Sequence, residues 1–141
     1  MTNEESFLKL LDDMRNSSQN KREQGTKFER LMQKVFRTSP LYAEIYEEVW
    51  LWSEFPYADT NDIGIDLVAK KRDKDEYTAI QCKFYDENNA ISKNDVDTFL
   101  SASGKAFYVD DEEYRYSERI IVSTNDKWCS NAESTIIGQL L

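Results

Sequence analysis

Three polar residues, Asp66, Gln81 and Lys83, have types and a spacing that could support metal-assisted hydrolysis of a phosphodiester bond. That reaction has a very high uncatalysed barrier, which enzymes commonly lower with a divalent cation that orients a water and neutralises charge on the phosphate. Mg²⁺ prefers oxygen ligands, which we expect from the Asp66 carboxylate, from the Gln81 side-chain oxygen or a water that it orients, and from the backbone carbonyl of Cys82. We expect Lys83 to polarise the attacking water and to stabilise the developing negative charge.

A glutamine at position 81, where an acid would serve, lowers the negative charge available to a cation. We therefore expect weak binding of Mg²⁺, or of Mn²⁺ in its place, until phosphate oxygens join the site, and one tightly held ion instead of two. A simpler interpretation treats Asp66, Gln81 and Lys83 as the solvent-facing residues of exposed antiparallel strands. Taken singly, each residue fits that interpretation better than a catalytic one.

Two alternating segments must position these residues. Residues 65–70 and 77–85 alternate apolar and polar side chains, which predicts two strands with Gln81 and Lys83 on one face and Asp66 pointing away from its apolar neighbours. The polar residues between the segments predict a hairpin turn centred near positions 73 and 74. Antiparallel pairing around that turn sets position 66 against position 81, so the hairpin alone gathers all three residues.

A second carboxylate, Glu29, borders the apolar stripe of a helix predicted over residues 23–37 and could face the same site. The competing interpretation is a capping box at residues 26–29, in which Glu29 would bond the start of the helix. Asp62 is a further candidate ligand, although the polar residues 59–62 also resemble an ordinary turn before a strand.

The remaining elements predict an α/β fold, with a central mixed sheet flanked by helices, in a single domain over residues 1–141. An N-terminal packing helix and a polar break occupy residues 1–20, and the core occupies residues 23–135. Hydrophobic periodicity, a capping box at Ser92 and an apolar run predict the other elements: a helix over 3–15, a strand over 49–52, a helix from 92 to about 104, a strand over 118–124 and a helix starting at 128. The strand, helix and strand after position 77 predict a crossover unit.

The aromatic residues between positions 42 and 57 predict core packing, but Trp52 or Tyr57 could instead stack on a nucleic-acid base. The chain has no histidine, which excludes His-containing metal sites and catalytic triads, and its two cysteines offer neither a disulfide framework nor a zinc spacing. No apolar run is long enough to span a membrane and the start of the chain is acidic, so we expect a cytoplasmic location.

Beyond spacing, several sequence blocks resemble a known family. Residues 25–29 (GTKFE), 64–69 (GIDLVA) and 80–83 (IQCK) are similar to the Mrr-type restriction nucleases, whose site is a D-QxK variant of the PD-(D/E)xK motif. Residues 49–56, 97–105 and 121–128 resemble the N-terminal nuclease domain of Type ISP restriction-modification enzymes. The resemblance extends over about 25–135 and implies a restriction-endonuclease-like fold, with Asp66, Gln81 and Lys83 at catalytic positions and Glu29 as the helix acid.

The same resemblance implies a bacterial polypeptide in which this nuclease precedes an ATP-driven, helicase-like translocase and a methyltransferase that uses S-adenosylmethionine. Double-stranded DNA would be delivered by those domains. That arrangement accommodates a net charge of −9, which is unfavourable for DNA binding by the isolated domain. Candidate phosphate contacts lie around the helix after the second strand, although they could equally be a solvated helix end: Lys93, Ser101, Ser103 and Lys105.

Two other functions compete with this one. A junction-resolving nuclease could share the same core but would need a basic surface of its own, which the charge disfavours. A catalytically silent interaction or DNA-clamping module could keep the fold without the chemistry, which the intact Asp66, Gln81 and Lys83 set disfavours. Metal-dependent cleavage and a preference for branched DNA distinguish the three.

Overall fold

A computed structural model describes residues 20–58, 64–83 and 92–123, together with helical residues 9, 10, 12–14 and 16 near the N-terminus. In the three long ranges the helices are α1 (Lys21–Thr38), α2 (Pro40–Ile45) and α3 (Lys93–Ser103), with a 3-10 turn at Trp52–Glu54. The strands are β1 (Tyr46–Leu51), β2 (Leu67–Lys71), β3 (Tyr77–Lys83), β4 (Phe107–Val109), β5 (Glu112–Tyr114) and β6 (Tyr116–Ser123). Asp62, positions 84–85 and the helix predicted from 128 lie outside the described residues.

A four-stranded mixed sheet in the order β1-β2-β3-β6 forms the centre of the fold, as predicted. β1, β2 and β3 pair antiparallel, whereas β3 and β6 pair parallel. The predicted crossover is also present, because α3 connects the two parallel strands. The connection contains a small β4–β5 hairpin that the sequence did not predict, and its turn residues Asp110 and Asp111 both have positive φ.

The predicted register of the β2–β3 hairpin is confirmed. Leu67 pairs with Ile80 and Val68 pairs with Ala79, which aligns position 66 with position 81. The Asp66 N–H donates to the Ile80 carbonyl at 2.9 Å, so the alignment continues one residue beyond the end of β2. Turn chemistry and strand patterning therefore fixed this register together.

The sheet is buried on both faces. On one face α1 packs Phe28, Met32 and Phe36 against Leu67, Ala69, Ile80 and Cys82. On the other face Phe99 of α3 packs with Ile65, Val68, Ala79 and an aromatic group around Phe55 and Phe107. The expectation that Ile65 shares a face with Leu67 is therefore wrong, because the chain has not yet entered β2 at position 65.

α1 begins earlier than predicted, because Asn20 caps it. The Asn20 Oδ1 accepts a hydrogen bond from the Glu23 N–H at 2.8 Å. Thr26 lies inside the helix, where its hydroxyl donates to the Arg22 carbonyl at 3.1 Å. The capping-box interpretation of residues 26–29 is thus wrong, and Glu29 is free of that role. No helix among the described residues has the length and apolar character needed to cross a membrane.

Candidate active site

Asp66 occupies the position immediately before β2, where its carboxylate is held by the neighbouring strand. The Cys82 N–H donates to Asp66 Oδ2 at 2.8 Å, and the Asp66 N–H is itself bonded to β3. Burial raises the pKa of Asp66, an effect that the Cys82 N–H, the hydrogen bond to Glu29 and the charge of Lys83 oppose. The hairpin therefore holds the Asp66 carboxylate in a fixed position at the end of the sheet where β2 begins.

Glu29 of α1 meets Asp66 through a side-chain hydrogen bond. Burial, then the charge of Asp66 and this hydrogen bond, raise the pKa of Glu29 to about 7, and the positive charge of Lys83 opposes the rise. A carboxyl pair of this kind holds a proton that a cation would displace. The helix and the hairpin thus bring together two carboxyl groups that are distant in the sequence.

Lys83 ends β3 and is half-buried. Its Nζ lies 3.6 Å from Asp95 Oδ1 in the first turn of α3. Ser92 caps that turn, since its Oγ accepts from the Asp95 N–H at 3.1 Å, which confirms the predicted start of the helix at Ser92. Because Lys83 also lowers the pKa of Glu29 and Asp66, its charge acts at the carboxyl pair as well as at Asp95.

Gln81 is 3% exposed in the centre of the sheet, so the interpretation of an exposed strand is wrong. Its side-chain oxygen, Oε1, is buried and has no hydrogen-bond partner among the described residues. Gln33, another buried glutamine, instead donates to the Val49 carbonyl at 3.1 Å and to Glu54 at 2.8 Å. An unsatisfied buried oxygen costs stability unless something supplies positive charge or a donor.

The carboxylate count at this site is low. No group of three or more Asp, Glu, Cys or His side chains capable of holding a metal occurs in the described part of the chain. The site contains two carboxyl groups, Glu29 and Asp66, beside an amide oxygen and a lysine. The expected contribution of the Cys82 carbonyl stays a prediction.

Gly64 lets the chain approach α3 before it enters the site. Its φ is +119°, and a Cβ at this position would meet the Thr98 side chain and carbonyl at 3.0 Å. Other residues rarely adopt this conformation, and the space would not hold a side chain. The glycine two residues before Asp66 therefore sets the direction from which the carboxylate is presented.

The residues predicted to contact phosphates around α3 are dispersed. Lys93 is ion-paired with Asp97, and Ser101 and Lys105 are exposed. Ser103 is 1% exposed; its hydroxyl donates to the Phe99 carbonyl and accepts from Arg119 Nε at 2.9 Å. The proposal of Ser103 as a phosphate contact is corrected, because its hydroxyl lies in the interior and binds α3 to β6.

An open pocket of about 600 Å³ lies beside the carboxyl pair, and the sequence interpretation missed two arginines that line it. Its walls include Arg22, Glu29 and Arg30 of α1, Asp66, and Trp52 with Ser53 of the 3-10 turn. Trp52 and Tyr57 both contact the Phe55 ring, as their predicted core role requires. The helical spacing of Arg22, Thr26, Glu29 and Arg30 was the available signal that these residues share a face.

Comparisons with known proteins agree on the type of domain. A family model described as "Restriction endonuclease", of the Mrr catalytic type, matches residues 37–141, which include Asp66, Gln81 and Lys83 but not Glu29. No curated protein matches the chain. The solved structure of the "ATP-dependent Type ISP restriction-modification enzyme LlaBIII bound to DNA" is 35% identical over 90% of this chain, with a TM-score of 0.66.

This chain spans only 7% of the length of that enzyme, so the likeness concerns one of its domains. Three observations support the same family: the mixed sheet, the D-QxK arrangement on the β2–β3 hairpin and the family match over most of the sequence. The chain belongs to the Mrr-type restriction endonuclease family and is similar to a domain of a Type ISP restriction-modification enzyme.

Proposed function

We propose that this chain is a metal-dependent DNA endonuclease domain that hydrolyses phosphodiester bonds at Asp66, Gln81, Lys83 and Glu29. The observation that carries the proposal is the meeting of a hydrogen-bonded carboxyl pair, Glu29 and Asp66, with the charge of Lys83 at the end of one hairpin. Structural lysines and acids usually form surface ion pairs, whereas the two carboxyl groups here are partly buried and line a pocket.

The donor set fits a hard divalent cation. Asp66, Glu29, Gln81 Oε1 and the Cys82 carbonyl would hold Mg²⁺ or Mn²⁺, all through oxygen. The lack of a partner for buried Gln81 Oε1 among the described residues supports this assignment, because a cation would satisfy that oxygen. When bound, the cation supplies charge neutralisation and a more acidic water.

The protein residues then have separate tasks. The Cys82 N–H fixes the orientation of the Asp66 carboxylate. The Lys83 ammonium polarises the attacking water and stabilises negative charge that develops on the phosphate. Asp95 orients Lys83 from α3, so the crossover helix helps to position the catalytic amine.

At the level of the whole protein, we propose that this domain acts within a longer Type ISP restriction-modification enzyme. A translocase that uses ATP and a methyltransferase that uses S-adenosylmethionine would bring double-stranded DNA to it. The net charge of −9 supports delivery by other domains, because a separate domain of this charge should bind DNA weakly. Residues 1–141 would form one structural unit of that polypeptide.

Nicking of supercoiled plasmid with Mg²⁺ or Mn²⁺ tests the proposal. Asp66→Ala and Lys83→Ala should abolish metal-dependent nicking, because each removes a group from the site. Lys70→Ala is the matched control, since Lys70 lies on the adjacent strand and pairs with Glu47 away from the carboxyl pair; it should nick like the wild type.

If the isolated domain does not nick, the same variants are compared in the complete polypeptide with ATP. Cleavage that survives both Asp66→Ala and Lys83→Ala there would contradict the proposal. A strong preference for branched over linear duplex would instead identify a junction-resolving nuclease. Complete absence of metal-dependent cleavage in both forms would identify a silent clamping module.

A further inference from the structure

One face of α1 forms a wall of the pocket next to the carboxyl pair. Arg22, Thr26, Glu29 and Arg30 line the pocket from this helix. Spacings of three and four residues bring these side chains to the same side, with Glu29 located between the two arginines along the helix axis. The pocket therefore has positive charge on both sides of a site residue, although the chain as a whole is acidic.

The two pocket arginines differ from the other arginines of the described ranges. Arg37, Arg72, Arg115 and Arg119 all donate to protein oxygens, at 2.9–3.0 Å in their shortest bonds to Val49, Ala43, Gly104 and Ser103. Arg22 and Arg30 are exposed, and neither guanidinium makes a hydrogen bond or an ion pair with a described residue. Arg30 is only the weakest of several influences that lower the pKa of Glu54, after the Leu51 N–H and Gln33.

Gly25 lies on the same face, within one turn of Arg22 and Glu29. A Cβ at this position would meet no atom of the described residues within 4 Å, so the described part of the fold gives no reason for a glycine inside this helix. Glycine is the least favourable residue apart from proline in a helix interior, and one use of it is to let a ligand approach the backbone closely. An open surface next to two arginines that have no partner among the described residues indicates such a ligand.

We propose that the α1 face formed by Arg22, Gly25, Thr26 and Arg30 binds the phosphate backbone of the DNA strand next to the phosphate that is cleaved. The inference rests on the proposed nuclease function for the identity of the ligand. Arginine guanidinium groups bind phosphate oxygens in a bidentate manner, and the threonine hydroxyl can add a further donor. α1 thus supplies both a site carboxyl, Glu29, and the contacts that place the strand over it.

The dimensions agree with that role. Arg22 and Arg30 are separated by roughly 12 Å along the helix axis, at about 1.5 Å for each residue. Successive nucleotides of one strand rise only about 3.4 Å, so the two arginines reach more than one phosphate. The strand would therefore run along α1 and not across α3, where Ser103 is interior and Lys93 is ion-paired.

DNA binding without divalent cations tests the inference separately from catalysis. Affinity of the chain for a short linear duplex is measured by fluorescence anisotropy in EDTA, at low and rising salt, for the wild type and for Arg22→Gln, Arg30→Gln and the double variant. The slope of log affinity against log salt is negative, and each lost phosphate contact should reduce its magnitude by about 0.9; the double variant should bind roughly tenfold or more weakly. Lys34→Gln, an exposed residue of α1 that does not line the pocket, is the control and should bind like the wild type.

Equal slopes for the wild type and the double variant would overturn the inference, and so would the absence of DNA binding by the wild type at low salt. The outcome is distinct from failure of the nuclease proposal. A reduced slope without any nicking would leave the DNA contact in place and remove the catalytic function. Normal nicking with an unchanged slope would leave the catalytic function in place and remove the DNA contact.

Gly25→Ala gives a second test. If Gly25 served only the fold, alanine would lower the Tm. Alanine should raise the Tm by a few degrees, because it favours the helix and meets no neighbour. The same variant should bind the duplex several-fold more weakly, since a methyl group would stand between the helix and the strand. Higher Tm with unchanged binding would show that no ligand approaches Gly25.

Discussion

The Glu29 side chain shares a hydrogen bond with the Asp66 carboxylate, and the pKa of Glu29 is raised to about 7 chiefly because the group is buried. One residue comes from a helix and the other from the start of a strand, so the contact exists only in the folded chain. At neutral pH and without a cation, Glu29 therefore carries a proton for part of the time. Folding therefore holds in contact two carboxyl groups that would lie apart in the unfolded, solvated chain.

This contact predicts how stability varies with pH in the absence of metal. The pKa of Glu29 rises on folding from 4.5 to about 7, so its stabilising contribution is full below 4.5 and is lost as the pH rises through about 7. Glu29→Gln stays neutral and keeps an amide donor for Asp66. The Tm of Glu29→Gln should match that of the wild type near pH 4.5 and exceed it by roughly 2–5 °C at pH 8. Parallel Tm curves across this pH range would contradict the shared proton.

Replacing Gln81 tests whether its buried oxygen waits for a cation. Gln81→Glu adds a second negative charge beside Asp66, so the metal-free Tm should fall, and Mg²⁺ should restore it by a larger shift than it gives the wild type. Gln33→Glu is the matched control, because Gln33 is also buried but donates to Val49 and Glu54. It should lose stability without any rescue by Mg²⁺. Equal metal response in both variants would remove Gln81 from the cation site.

The strained glycine before the site should tolerate no side chain. Gly64→Ala combines a φ of +119° with a Cβ at 3.0 Å from Thr98, so the backbone before Asp66 must shift. We expect a loss of about 1–3 kcal/mol in the free energy of unfolding and a larger proportional loss of nicking. Urea denaturation and plasmid nicking measure the two effects. Wild-type activity in a destabilised variant would show that Gly64 serves folding alone.

Ser103 should prove to be a structural residue. Ser103→Ala removes the acceptor of Arg119 and should cost about 1–2 kcal/mol in urea denaturation. Ser101→Ala, two positions away on the exposed side of α3, should change stability by less than about 0.5 kcal/mol. DNA affinity of Ser103→Ala should equal that of the wild type. A selective loss of DNA affinity at position 103 would restore it as a phosphate contact.

The local sequence was sufficient for much of the framework. Alternation in two segments and a polar turn determined the β2–β3 register, and with it the alignment of Asp66 with Gln81, because side-chain direction in a strand has a period of two. Ser92 and Gly104 marked the ends of α3, since capping depends on neighbouring backbone groups alone. The mixed sheet followed from a hairpin and a crossover in sequence order.

Only the tertiary structure decided which polar residues are buried. Gln81 and Ser103 look like surface residues in the sequence, yet both are buried: Gln81 lies on the central strand β3, and Ser103 lies on the side of α3 that contacts Arg119 of β6. The role of Glu29 was open between a helix cap and the site until Asn20 proved to cap α1. The sequence did not indicate a role for Arg22 and Arg30, which line the same pocket as Glu29. The sequence by itself determined local geometry and the identity of the reactive groups; burial and proximity between distant segments arise only when the helices close over the sheet.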